Sequence, residues 1–154
     1  MDKLLIKEQL YQFCIEQIQK KLDTINAIIN SAQNSANSET KSTAGDKHDT
    51  ARAMAHLETE KNAKQLAEIN KIKKIIPYLK SSKTQLQSTV QLGCVVETSL
   101  INYYISSNLG QIKIEDKNFL TISPISPLAK AFMGKKTGHG FNFNQNRITI
   151  TDVF

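Results

Sequence analysis

"NSAQNSANSETKSTAGDKHD", residues 30–49, is the stretch on which the fold turns. It is polar, rich in Ser, Asn and Thr, and has little to bury. A helical pattern runs up to it and a second one leaves it. Before it, every seventh residue from Leu4 gives Leu4, Tyr11, Ile18, Ile25 and Ala32. A series offset by four gives Met1, Glu8, Ile15, Leu22, Ile29 and Ala36. Interleaved at spacings of three and four, these positions form one apolar seam of a/d type, broken only by Glu8. No Gly or Pro interrupts residues 1–44. The pattern predicts a helix of about 30 residues, roughly 45 Å long at about 1.5 Å rise per residue.

After Gly45 a second stripe runs through Met54, Leu57, Leu66, Ile69, Ile72, Ile76 and Leu79, thinning at "ETEKN", 58–62. Pro77 marks the end of this helix or a kink near it. Two long helices joined by one polar turn predict an antiparallel coiled-coil hairpin over residues 1–80, with its tip near 33–50. A parallel dimer through the first helix alone is the other packing the seam allows.

Residues 81–91, "SSKTQLQSTVQ", read as a linker. Beyond it the apolar period becomes two. Ile112 and Ile114 alternate with polar residues, as do Phe141 and Phe143, and Ile148 and Ile150, with "NQN" at 144–146 as a hairpin turn. Residues 92–98, 101–107 and 118–123 are further strands. Ser126 is an N-cap candidate, Pro127 suits the first helical position, "LAKAFM" follows, and Gly134 closes the helix. The fold class is therefore α+β. A helical hairpin precedes a small, mostly antiparallel sheet domain over 92–154 with one short helix.

The chain has 154 residues, 40% hydrophobic and 6% aromatic, and a net charge of +6. Residues 1–80 hold 13 basic and 10 acidic side chains, the remainder 7 and 4, so both parts are mildly basic. That suits an acidic partner or nearby nucleic acid, and equally a solvated basic surface. Cys14 and Cys94 form no CxxC pair and read as reduced thiols at small apolar positions. The charged N-terminus offers no signal-peptide core, and no run of about 18 apolar residues exists, so a soluble, cytoplasmic protein without membrane contact is expected.

No self-contained active site emerges. His48, His56 and His139 are too dispersed for a metal cluster. "MGKKTGHG", 133–140, does not have the phosphate-loop spacing and leaves a helix where such a loop would enter one. Asp46 and Asp49 remain. As acids in a first helical turn they resemble a capping box, favoured by the helix dipole. At i and i+3 they also share one helix face and could offer part of an oxygen shell to a divalent cation. Two carboxylates do not hold Mg²⁺ alone, so the rest of such a site would come from a partner.

"ISPISPLAKAFMGKKTG", 122–138, is similar to a segment of the Gre family of bacterial transcript-cleavage factors: Ile-Ser, Ser-Pro, a short amphipathic helix, Gly-Lys-Lys and Gly. Gly45-Asp46-Lys47-His48-Asp49-Thr50-Ala51 resembles the family's tip pattern Gly-Asp-x-x-Glu-x-Ala, with Asp for Glu. Gly93 falls where the family's glycine opens the first strand. The resemblance departs at Gly138-His139, where Gly-Asp is usual, at Arg52-Ala53, where an acid and an aromatic are usual, and at the cationic Lys47-His48 between the acids. Another alignment uses Glu39 as a tip acid.

The resemblance implies an FKBP-like C-terminal domain in a chain that binds RNA polymerase; a hairpin whose seam is satisfied within the chain argues for a monomer. The sheet domain, with Ser123, Ser126, Pro127, Lys135 and Lys136, would dock at the rim of the polymerase's secondary channel. The hairpin would thread the channel. Asp46 and Asp49 would help hold a second Mg²⁺ at the polymerase's active site, close to the nascent RNA 3′ end, and stimulate hydrolysis of backtracked RNA. The factor completes a site and is no enzyme alone. Two other readings share the shape: a channel binder that modulates transcription without cleavage, and a coiled-coil adaptor with no polymerase role.

Overall fold

A computed structural model describes the backbone of residues 1–39 and 45–154, and the side chains of residues 1–34 and 49–154. Helix α1 spans Lys3–Glu39 and α2 spans Gly45–Lys73. α1 thus runs further into the polar stretch than its apolar seam predicts, since nothing in 30–39 breaks a helix. After α2 the chain turns and restarts as α3, Ile76–Ser82, with Pro77 in its first turn, where its missing N–H costs nothing.

Six strands follow: β1 Val95–Thr98, β2 Asn102–Ile105, β3 Gly110–Ile114, β4 Lys117–Ile122, β5 Gly140–Phe143 and β6 Asn146–Val153. Helix α4, Pro127–Phe132, lies between β4 and β5 in sequence. The sheet order is β3-β4-β2-β1-β6-β5, and every neighbouring pair is antiparallel except β2 with β4. The architecture is α+β: long helices, then a six-stranded, mostly antiparallel sheet with a short helix. Period-two alternation places the strands, and Asn144 and Gln145, both with positive φ, form the two-residue β5–β6 turn.

The chain divides into two compact units. Residues 1–17 and 74–154 form a sheet unit, and residues 18–73 a helical unit. In the sheet unit, one face of the sheet buries Val96, Tyr103, Ile105, Ile122, Ile148 and Ile150 beneath Ala129 and Phe132 of α4. Phe132 meets Tyr103 at 5.2 Å and Phe141 edge-on at 5.1 Å between ring centres, inside the range that favours aromatic pairs. The opposite face receives the start of α1. Cys14 Sγ lies 3.6 Å from Ser106 Oγ, and Lys3 pairs with Asp152 at 2.7 Å. Along β2, Tyr103 faces α4 while Tyr104 faces α1, as the pleat requires.

In the helical unit, Ile18 and Ile25 of α1 are buried and Leu22, Ile29 and Ala32 half-buried, which is the predicted seam. On α2 the buried positions are Asn62 and Ile69, with Leu66 and Ile72 half-buried. Met54 and Leu57, counted on the sequence as stripe residues, are 67% and 64% exposed. The two helices leave open space beside Met54, lined on the α1 side by Ile29, Ala32 and Gln33. Met1 and Leu4 are likewise exposed, and in this turn burial shifts to Ile6 and Lys7.

Candidate functional site

Two places carry the residues that the sequence singles out, and a third carries a buried cluster that it does not. The first is the start of α2. Backbone geometry makes Gly45 the first helical residue, so Asp46 and Asp49 fall within the first turn and a half. Asp49 is exposed. The side chains of Glu39, Asp46, Lys47 and His48 lie outside the described residues, as do residues 40–44 altogether. Further along, α1 and α2 line one cavity of about 630 Å³, with Ile29 and Ala32 on one side and Ala51, Met54, Ala55 and Leu66 on the other. The two helices therefore run side by side there.

The second place is the segment 122–138. Ser126 Oγ accepts a hydrogen bond from Ala129 N at 3.2 Å and donates to Ser123 O at 2.7 Å, capping α4 as the sequence predicts. Pro127 opens the helix, and Gly134 at φ +76° follows Met133 at its end. The loop beyond is pinned by Val90, which donates to Lys135 O at 2.9 Å and accepts from Gly134 N at 3.0 Å. Lys136 is exposed, and half-buried Lys135 places its ammonium 5.4 Å from the Phe141 ring centre. Ile125 stands 77% exposed between Ser123 and Ser126.

The third place was not singled out on the sequence. Lys7 is fully buried and donates to Ser82 Oγ at 3.2 Å and to Gln85 O at 2.8 Å. Ser82 in turn donates to Gly93 O at 2.9 Å. Gly93 has φ +84°, and a Cβ there would stand 2.4 Å from Ser82 Oγ, so both its backbone and its space demand glycine. Burial lowers the Lys7 pKa, and the field of Cys94 opposes part of that. A signal was present: Lys7, Tyr11, Cys14 and Ile18 continue one helical stripe.

Burial pushes the Cys14 thiol up to about 11, against a hydrogen bond with Ser106. Burial also raises Cys94, against a backbone hydrogen bond at Gln91 and the field of Lys7. Neither has the depressed pKa of a reactive cysteine. Tyr104 is likewise raised by burial, and its hydroxyl is a buried side-chain oxygen without a hydrogen-bond partner. Glu8, the break in the seam, accepts from Gln12 at 3.0 Å and pairs with Lys83; these hydrogen bonds lower its pKa.

Among the described residues no three His, Cys, Asp or Glu side chains group as a metal site. His56 lies beside Glu60 at 3.6 Å, and His139 Nδ1 accepts from Lys136 N at 3.2 Å, so the two histidines serve local surface contacts. None of the described helices is long and apolar enough to cross a membrane. No protein-family model matches the chain, and no curated protein matches it.

Proposed function

We propose that the chain is a transcription elongation factor of the Gre type, which binds RNA polymerase through its secondary channel and stimulates cleavage of backtracked RNA. In this reading the helical unit is an antiparallel coiled-coil hairpin and the sheet unit is FKBP-like. The observation that carries it is the placement of Asp49. It is an exposed carboxylate beside the connection of two long helices that run side by side. An α2 of 29 residues is about 44 Å long, enough to carry such a group far from its base.

The capped α4 in the segment of best resemblance supports the same reading. Mg²⁺ asks for about six oxygen ligands, so Asp49 fits as one ligand of a site completed by the polymerase, with Asp46 as its neighbour one turn back. The ion, bound there, would activate the attacking water. The chain's own part is to deliver the carboxylates and to dock through Ser123, Ser126, Pro127, Lys135 and Lys136.

The charge of the tip favours a second reading, occupancy of the channel without cleavage. Lys47 stands between the two acids, with His48 beside it. One assay separates the two. Stalled, backtracked polymerase is incubated with wild type and with the double variant Asp46→Ala/Asp49→Ala. Stimulated cleavage that falls at least tenfold in the double variant, with binding retained, is the expected result. Equal cleavage by both proteins removes these acids from the mechanism, and binding without cleavage by either supports the second reading.

A further inference from the structure

We infer that the free edge of β5 is a docking strand for an extended, acidic segment of a partner protein. β5 is the last strand of the sheet, paired with β6 alone. Its register is Gly140 with Thr149, Phe141 with Ile148, Asn142 with Arg147 and Phe143 with Asn146. Ile150 N donates to His139 O at 2.8 Å, which sets the alternation: residues 139, 141 and 143 bond to β6. The N–H and C=O groups of Gly140 and Asn142 therefore point outward, where no strand of the described chain lies. Such an edge is a template for one more strand.

Charge selects the occupant. Residues 117–151 hold Lys117, Lys130, Lys135, Lys136 and Arg147 and not one Asp or Glu. Two of these cations flank the β5 edge from opposite sides. On the α4 side, Lys135 sits over Phe141. On the other side, a Cβ at Gly140 would stand 2.8 Å from Arg147 Nη2 and 3.2 Å from its Nε, so the guanidinium lies across the bare glycine backbone. Neighbouring residues of an added strand point to alternate faces, so acidic side chains on either face meet a cation. The other sheet edge, β3, leads directly into Glu115 and Asp116 and has no such single sign.

The alternatives fit less well. A second copy pairing through β5 would bring Arg147 and Lys135 against their own equivalents. A nucleic-acid backbone offers phosphate acceptors, which leave the outward C=O groups of Gly140 and Asn142 unpaired. This inference does not rest on the polymerase reading, which assigns nothing to Gly140, Asn142 or Arg147.

The test uses the full chain, a capped Val-Glu-Glu-Val-Glu-Val peptide, and a control with Lys for Glu. Binding is read by fluorescence anisotropy and located by NMR amide exchange. The acidic peptide is expected to bind and to slow exchange of the Gly140 and Asn142 amides at least tenfold. Arg147→Glu should weaken it at least tenfold, and Asn142→Pro, which removes an outward donor, should do the same. Arg147→Glu alters an exposed side chain and keeps the test decisive if the proline variant misfolds. Failure to bind, equal binding of the lysine peptide, or protection elsewhere overturns the inference. So does protection of these amides by self-association, or their protection by a single-stranded oligonucleotide in place of the peptide.

Discussion

Lys7 shows how one side chain can hold two parts of a chain together. Its stem is packed, and its ammonium reaches Ser82 and Gln85, more than seventy residues away. The burial that makes this contact also disfavours the charge, so its folded pKa lies below the 10.5 of the unfolded chain. Between those two values the unfolded state binds more protons, and stability therefore rises with pH in that window. Lys7→Met keeps a stem of similar size and leaves Ser82 its bond to Gly93. At neutral pH it should stay within about 1.5 kcal/mol of wild type. Wild type should then gain on the variant as pH rises towards 10.5, measured by urea denaturation at pH 7 and pH 10. Parallel profiles would show that the Lys7 charge is not the burdened group. On the sequence, nothing set Lys7 apart. Polar residues on a buried stripe are read correctly only once their acceptors are known, and these come from the polar stretch at 82–93.

At the level of elements, the sheet was legible because its strands are half-buried and therefore alternate. β3, β5 and β6 could be read from isoleucine and phenylalanine pairs two apart, and α4 from its punctuation. Ser126 is the clearest case: a cap, a proline behind it and a glycine at the far end define a six-residue helix that propensity alone would not. Ser126→Ala should cost about 1 kcal/mol by chemical denaturation, since Ala129 N loses its acceptor. An unchanged midpoint would mean that α4 is held by Phe132 and Ala129 packing alone. The helices were legible in type and less so in contact. Ile18, Ile25 and Ile69 lie on the seam as read, but Met54 and Leu57 do not bury, because volume across the seam is absent from a one-chain pattern. The docking of α1 residues 3–17 onto the sheet was not legible either. Their apolar residues occupy more than one stripe, and period alone does not say which stripe meets which partner.

For the whole molecule, the candidate site was legible only as a pattern of acids and a family-like segment. A carboxylate that completed another protein's active site would need no pocket and no ligand cluster in its own chain. What the molecule does present is an exposed Asp49 on a long helix and a sheet unit with a one-signed basic region. The measurement that bears most directly on the account is association with core RNA polymerase, by size-exclusion chromatography of the full chain mixed with purified bacterial core enzyme. A one-to-one complex, formed equally well by Asp46→Ala/Asp49→Ala, is the predicted result; a chain that elutes alone at every concentration contradicts the account.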